Sequence, residues 1–370
     1  MVAHARARII FRHPGYSNKH NIILVLPAFD GVGAAGIHHE TARVACATCA
    51  NNRWDGFFTS TRTGPRVSYE PDDLLCAEEY YFRVSDDATE RYPVVPSFVH
   101  WRFPHSGLPV SWTQAAAAIA AAPSTRRLPR QTGPTEALMA RDVSCRITAH
   151  VEGTEHAHLV PRSEAAWFEE NAMFRYTNPV RPDISDIDDP RNAFLLRSDV
   201  HTLFDQKRIA LVPRSAPHPV FAVHVFADGS SPEIVDLYHS VALQPLRAVS
   251  IQCLFARFAW TVFAYTTHFL AQGVQRVLTV VQNGEPRTLE LPAARCKALG
   301  FPAPARSQSR STGPRKRKRD DDDDEPVRGR KRRRSFDVAA SSLGASGDGG
   351  ATPAAVVDDE DWCACGGREQ

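Results

Sequence analysis

The stretch RNAFLLRSDVHTLFDQKRIALVP, at residues 191–213, constrains the fold most strongly because it sets polar residues at fixed spacing within an apolar segment. It places Asn192 nine residues before His201, and Asp205 four residues after that histidine. A segment that only filled a hydrophobic core would not require these three side chains. We therefore take the stretch as the centre of a functional site.

The stretch itself predicts the start of a helix followed by a strand. Residues 191–199 have an apolar centre, and Ser198 or Asp199 is a favourable N-cap type for a helix that begins there. His201 would then lie in the first turn, and Asp205 would lie one turn later on the same face. The apolar residues that follow predict a strand.

A second short strand is predicted upstream, at EHAHLVP (155–161). Pro161 would end this strand, so His158 lies near its C-terminal end. The order along the chain is therefore strand, histidine, long loop, asparagine, helix with histidine and aspartate, and strand.

This order resembles the HNH nuclease family, whose fold is the ββα-metal finger, and most of all the divergent HNH group common in fungal proteins. The resemblance covers about residues 140–215. Four patterns carry it: Cys145-Arg-Ile-Thr148, Ala157-His158-Leu159-Val160-Pro161, the spacing from Asn192 to His201, and the run from Leu196 to Asp205.

The resemblance implies a role for each motif residue. His158 would be the general base, Asn192 would hold the histidine ring in place, and His201 would be a metal ligand. Phosphodiester hydrolysis requires a water deprotonated near neutral pH, and a histidine suits this task because its unperturbed pKa is about 6.5. A divalent ion supplies the charge neutralisation that the scissile phosphate requires.

The role of Asp205 follows from its spacing and stays open between two alternatives. A carboxylate four residues after a ligand on one helical face can reach the same ion. Alternatively, Asp205 supports the ligands from outside the coordination shell or caps the turn. Imidazole and carboxylate ligands together suit Mg²⁺, Mn²⁺ or Zn²⁺, and the sequence does not decide among these ions.

Two positions depart from the family pattern. Many active HNH enzymes have an aspartate or histidine ligand immediately before the base, where this chain has Ala157. Strand alternation puts His156 on the face of His158 and not on that of Ala157, so His156 is no obvious substitute.

The second departure concerns zinc. Some HNH proteins bind a structural zinc through two CxxC pairs, but Cys145 stands alone, so we predict no structural zinc in this module.

The sequence predicts an α+β protein with a central ββα-metal finger. An N-terminal α+β domain of unassigned role is expected at 1–122, and a linker with three prolines and a glycine at 123–136. The HNH nuclease domain, with a helical and strand extension, is expected at 137–295. Residues 296–370 are predicted to be a disordered, charged tail.

The tail carries two basic clusters, RKRKR (315–319) and RGRKRRR (328–334), separated by an aspartate-rich run. They resemble a bipartite nuclear localisation signal, which predicts binding to the nuclear import machinery and a nuclear protein. The alternative is a solvated charge run. The net charge of the whole chain is only +2, so the chain as a whole is not a polyelectrolyte and its charge is unevenly distributed.

Other segments bear on the compartment. The eight cysteines lack the spacing of a disulfide framework, which indicates reduced thiols inside the cell, and the basic N-terminus lacks the apolar centre of a secretory signal. Ile251 to Ala271 has about the length of a membrane span. However, Arg257 and His268 interrupt it, and a central arginine costs roughly 2.5–3.5 kcal/mol on insertion scales. A buried or amphipathic helix is therefore expected, and no membrane association.

Two pairs near the N-terminus are expected to have structural roles. Cys46 and Cys49 lie on a predicted helix at 36–52 with no second pair nearby, which favours small core thiols. His38 and His39 are expected at the surface or at the start of that helix.

Taken together, these patterns predict a metal-dependent endonuclease that cleaves DNA, with RNA as the less favoured substrate. The alternative is a catalytically inactive HNH-fold module that binds nucleic acid or protein in the nucleus. Ala157 is the residue that favours this alternative.

Overall fold

Helices and strands alternate along the part of the chain that this computed structural model describes, and the predicted α+β class is confirmed. The structure describes residues 8–31, 33, 35–70, 72–121, 133–178, 185–215 and 219–300. The basic clusters at 315–334 lie outside these ranges, as does most of the predicted linker.

The N-terminal part consists of a four-stranded sheet, a two-stranded ribbon and two helices. The elements are β1 (Arg8–Arg12), β2 (Ile22–Pro27), β3 (Ile37–His38), α1 (His39–Cys49), β4 (Phe57–Thr59), β5 (Leu74–Leu75), β6 (Glu79–Arg83) and α2 (Val110–Ala121). The larger sheet has the order β2-β1-β6-β4, in which only β1 and β6 run parallel. Apolar residues alternate along β1, so that Ile9 and Phe11 are buried in the core.

The helix predicted at 36–52 begins later than expected, because His38 ends the ribbon β3 and caps α1. Its Nδ1 atom accepts the N–H of Thr41 at 3.2 Å, and its Nε2 atom lies 3.0 Å from Asp72 Oδ1. His38 and His39 are 4% and 9% exposed, so the expectation that they start the helix is met and a surface position is wrong. Cys46 and Cys49 are fully buried free thiols, as expected.

The central part contains the segment that resembles the HNH family. Its elements are α3 (Pro134–Asp142), β7 (Thr154–His158), α4 (Ala165–Glu170), β8 (Ala193–Arg197), α5 (Ser198–Asp205), β9 (Ile209–Arg214), β10 (Val220–Val225) and α6 (Pro232–Tyr238). Strands β7 and β8 are antiparallel, with Thr154 opposite Arg197 and His158 opposite Ala193. Helix α5 follows β8 without a loop and packs on both strands.

The predicted cap of this helix is wrong. Ser198 is already the first helical residue, and the N-cap position is Arg197, whose side chain makes no capping hydrogen bond. The reason is that the sheet extends to the helix: the Ser198 amide bonds the Gly153 carbonyl at 3.0 Å, which continues the β7–β8 pairing. Asp199 instead pairs with Arg197 at 2.7 Å.

The C-terminal part contains α7 (Ile251–Val262), α8 (Thr267–Ala271), β11 (Arg276–Gln282), β12 (Glu285–Leu291) and α9 (Ala293–Gly300). Ser250 caps α7 by accepting the N–H of Cys253 at 3.2 Å. The hairpin of β11 and β12 turns through Asn283 and Gly284, both at positive φ, as a tight two-residue loop requires. None of the helices in the described ranges is both long and apolar enough to cross a membrane.

The main hydrophobic core contains buried residues of all three parts, including most residues of α7. Trp112 from the N-terminal part contacts Phe255 of α7 with ring centroids 4.9 Å apart, and contacts Phe221 of β10 at 5.5 Å. Val94 forms an isolated bridge with Leu278 of β11. The predicted boundaries at 1–122, 137–295 and 296–370 remain predictions, although α9 covers the first residues of the expected tail.

Candidate active site

Strands β7 and β8 and helix α5 position the four residues that the sequence singled out. His158 is the last residue of β7, and Asn192 immediately precedes β8. His201 and Asp205 both lie on α5. Since α5 packs on both strands, residues far apart in the sequence lie on neighbouring elements.

His158 is held by a carboxylate from the loop that precedes β8. Its Nε2 atom lies 3.1 Å from Asp188 Oδ1, and the same oxygen accepts from Arg162 Nε at 2.6 Å. Burial lowers the pKa of His158 below its usual value, although the hydrogen bond to Asp188 opposes this shift. Because an ionised carboxylate only accepts, Nε2 carries the proton and the Nδ1 lone pair is available to take another.

His156 lies beside the proposed base, as strand alternation predicts. The rings of His156 and His158 stack with centroids 4.3 Å apart and planes inclined by 23°. Burial lowers the pKa of His156 to about 4, so this ring is uncharged near neutral pH. Its Nε2 atom is buried and has no hydrogen-bond partner among the described residues.

Asn192 is fully buried and fixes the backbone on either side of the His158–Asp188 contact. Its Oδ1 atom accepts the Val160 N–H at 2.9 Å, and its Nδ2 atom donates to the carbonyls of Val160 at 3.0 Å and Ile187 at 2.8 Å. Val160 follows His158 by two residues, and Ile187 precedes Asp188. The Asn192 side chain therefore links the backbone next to His158 with the backbone next to Asp188. These three bonds do not involve the imidazole ring itself.

His201 has a carboxylate at each ring nitrogen. Its Nδ1 atom lies 2.8 Å from Glu155 Oε2, and its Nε2 atom lies 3.2 Å from Asp205 Oδ2. The hydrogen bond to Asp205 and then that to Glu155 raise the pKa of His201, against the effect of burial. His201 in turn contributes to the lowered pKa of His158, so the two histidines interact electrostatically.

A buried arginine of α7 connects the two histidine neighbourhoods. Arg257 is 1% exposed, and its Nη1 atom lies 3.4 Å from the carbonyl oxygens of His158 and Leu159. Its Nη2 atom donates to the Phe204 carbonyl and lies 3.3 Å from Asp205 Oδ1. Burial lowers the pKa of Arg257 to about 9, which still leaves the guanidinium charged at neutral pH.

Three of these charged partners were not predicted from the sequence, although each leaves a local signal. Glu155 lies two residues before Ala157 and therefore on its face of β7. Asp188 belongs to an acidic run just before Asn192, and Arg257 is the charge that interrupts an otherwise apolar helix. What the sequence does not provide is the pairing of each with a particular partner across the fold.

The donor set around His201 fits a divalent cation. Because the carboxylates of Glu155 and Asp205 lie at opposite nitrogens of the His201 ring, an ion could be bound by one ring nitrogen and the carboxylate beside it, which are ligands that Mg²⁺, Mn²⁺ and Zn²⁺ accept. The two carboxylates are about half exposed, so an ion could reach them from solvent.

A second histidine and aspartate cluster lies elsewhere, among Asp30, His224 and His239, whose ligand atoms lie within 4.8 Å of one another. Here Asp30 already accepts from Arg214 at 3.2 Å and from His239 Nε2 at 2.9 Å. His239 Nδ1 accepts the Val225 N–H, which leaves the ring proton on Nε2, where a metal would have to bind. The contacts of Asp30 and His239 therefore belong to a buried ion-pair network, whereas both ring nitrogens of His224 are buried and have no hydrogen-bond partner among the described residues.

Residues 143–212 match the family of HNH endonucleases, which confirms the resemblance that the motifs carry. The matched segment contains β7, β8 and α5 with all four of the predicted site residues. No curated protein and no solved structure matches the chain. An HNH domain indicates a nuclease-type function on nucleic acid, since members of this family are generally hydrolytic nucleases that use divalent metal ions.

Proposed function

We propose that the protein is a metal-dependent endonuclease that hydrolyses phosphodiester bonds in DNA, with RNA as the less favoured substrate. The observation that carries this proposal is the pairing, within the HNH segment, of a histidine with a lowered pKa and a second histidine flanked by carboxylates. In this proposal β7, β8 and α5 form the ββα-metal finger.

Each residue of the site has a distinct task in the proposed reaction. His158 takes a proton from water at Nδ1 while Asp188 holds the ring through Nε2. Asn192 fixes the backbone that aligns these two residues. His201 holds the divalent ion with a neighbouring carboxylate, for which the sequence offers Asp205 and the structure adds Glu155. When bound, this ion would act as a Lewis acid on the scissile phosphate and the leaving oxygen.

The remaining parts of the proposal concern the cell. We propose that residues 315–334 bind the import machinery and so direct the protein to the nucleus. DNA is the available substrate in that compartment. The basic clusters would also add salt-sensitive contacts to phosphates. The role of the N-terminal part is open.

A second candidate function is a catalytically inactive HNH module that binds nucleic acid or protein. Ala157 favours it, since many active family members have a ligand at that position. This candidate predicts nucleic-acid binding without cleavage, and no metal binding that depends on His201.

The test is nicking of supercoiled plasmid by the purified full chain in Mg²⁺ or Mn²⁺. Chelation with EDTA should abolish nicking, and excess Mn²⁺ should restore it. We expect His201→Ala to lower the rate by about 100-fold or more, because loss of a ligand leaves the phosphate charge uncompensated. Equal nicking by wild type and His201→Ala would contradict the proposal, and binding of plasmid without nicking would favour the inactive module.

The pH dependence of cleavage should show the environment of His158. Because burial lowers the pKa of this group, the midpoint of the acid limb, at constant bound metal, should lie below the usual histidine value of about 6.5. Asp188→Asn removes a partner that raises the pKa, so the acid limb should move to still lower pH, with a lower plateau. The measurement is the single-turnover rate from pH 4.5 to 8, and an acid limb that moves upward in Asp188→Asn would contradict the assignment.

A further inference from the structure

The carboxylate that many HNH enzymes have immediately before the base is missing here, and the structure offers a replacement on the same strand face. Ala157 is fully buried and carries no donor. Glu155 lies two residues earlier on that face, and its longer side chain reaches 2.8 Å from His201 Nδ1. We propose that Glu155 is the oxygen ligand beside His201, and that Asp205 orients the His201 ring from outside the coordination shell.

This inference rests on the proposed metal-dependent function and assigns different tasks to the two carboxylates. A metal-bound imidazole uses one nitrogen for the ion and donates the other N–H to a carboxylate or carbonyl, which fixes the ring. His201 has one carboxylate at each nitrogen, so one of the two can share the ion and the other can accept the N–H.

Asp205 is suited to accept the N–H because its charge is already compensated. Its Oδ2 atom contacts His201 Nε2, and its Oδ1 atom contacts Arg257 Nη2 at 3.3 Å. Arg257 cannot move away easily, since it donates to the Phe204 carbonyl and its guanidinium lies 3.5 Å from the centroid of the Phe204 ring. A divalent ion at Asp205 would therefore lie next to a fixed positive charge.

Glu155 has no such competing partner. Among the described residues, its carboxylate makes a single hydrogen bond, to His201. Its side chain is 53% exposed, so an ion held between Glu155 and His201 Nδ1 stays open to solvent and to a phosphate. The ion would then be bound by Glu155 on β7, the strand that carries His158. It would not be bound by Asp205, which pairs with the buried Arg257.

The deciding measurement is nitrogen NMR of the full chain loaded with Zn²⁺, a diamagnetic probe that reports which ring nitrogen binds the ion. We expect His201 Nδ1 to be coordinated and Nε2 to carry the proton that faces Asp205. Coordination through Nε2 would overturn the assignment. This readout does not depend on cleavage activity.

Mn²⁺ affinity, measured by calorimetry, and the visible spectrum of bound Co²⁺ provide the variant test. Glu155→Gln should lower Mn²⁺ affinity by more than about 100-fold and change the Co²⁺ spectrum, because a ligand is lost. Asp205→Asn should lower the affinity by about 10–100-fold and leave the spectrum unchanged, as expected for a group that orients a ligand. Asp199→Asn is the matched control on the same helix, since Asp199 pairs with Arg197.

The outcomes separate this inference from the proposed function. If wild type binds Mn²⁺ through His201 and Glu155→Gln behaves like the Asp199→Asn control, only the assignment of Glu155 is wrong. If wild type shows no binding that depends on His201, the proposed metal-dependent function fails as well. Circular dichroism of each variant establishes that a lower affinity does not reflect unfolding.

Discussion

Replacing His158 by alanine is expected to lower the rate of metal-dependent cleavage by about 10²–10⁴-fold, the usual contribution of a general base. The reason is that His158 presents an unprotonated Nδ1 atom at neutral pH, while Asp188 holds Nε2 at 3.1 Å. Metal and nucleic-acid affinities should change little, because the proposed ligands, Glu155 and His201, remain in place. The measurement is the single-turnover cleavage rate at saturating Mn²⁺, with affinities determined separately.

The matched control for this variant is His150→Ala. His150 lies in the same matched segment but is exposed, and the one hydrogen bond of its ring within the described part of the chain is to the backbone carbonyl of Thr148. Its rate should stay within about twofold of wild type, as for other exposed positions without a special contact. If His158→Ala cleaved as fast as this control, His158 would not be the base.

Part of the secondary structure at this site could be predicted from local sequence, and this has a physical reason. A strand was expected at 155–161, and β7 covers the first part of this range but ends at His158, three residues before Pro161. The helix face shared by His201 and Asp205 follows from their spacing of four residues. Asn192 immediately precedes β8, and His201 lies within α5. Local pattern therefore predicted β7 and α5 but not β8, whose apolar residues were expected to open the helix. The roles of the candidate residues remain predictions.

The missed features all depend on contacts between distant segments. The pair of His158 with Asp188 spans 30 residues, and the contact of Arg257 with Asp205 spans 52. No local sequence pattern predicts which charged side chains will pair when distant segments come together. The expected surface position of His38 is wrong for the same reason, because its partner Asp72 lies 34 residues away.

The position of Arg257 also shows that the matched HNH segment is not independent of the rest of the chain. Residues 143–212 end before α7, yet Arg257 of α7 contacts the His158 carbonyl and the Asp205 carboxylate. Helix α7 in turn packs against Trp112 of the N-terminal part through Phe255. The geometry of the site is therefore supported by the core that all described parts share.

Replacing Asp30 by asparagine is expected to lower the free energy of unfolding by about 3–5 kcal/mol, the typical cost of breaking a buried ion pair. Asp30 Oδ1 accepts from His239 at 2.9 Å, Ser240 at 3.0 Å and Arg214 at 3.2 Å, and Oδ2 accepts the His38 N–H at 2.9 Å. An amide would turn an NH₂ group toward these donors and leave Arg214 buried without its counter-charge.

The pKa of Asp30 in this network predicts how the stabilisation depends on pH. Burial opposes ionisation of Asp30, but the hydrogen bond from His239 and the charge of Arg214 outweigh it, so the pKa of Asp30 is depressed in the folded state. The contribution is therefore fully present above the unfolded-state pKa of about 3.9 and is lost progressively as the pH falls from that value through the depressed folded-state pKa. Urea unfolding at pH 7 and pH 3 should show that the loss of stability in Asp30→Asn is large at pH 7 and smaller at pH 3.

Asp228→Asn, which removes an exposed partner of Arg8, is the control and should change stability by no more than about 0.5 kcal/mol. An Asp30→Asn effect as small as that of this control at pH 7 would contradict the ion-pair network.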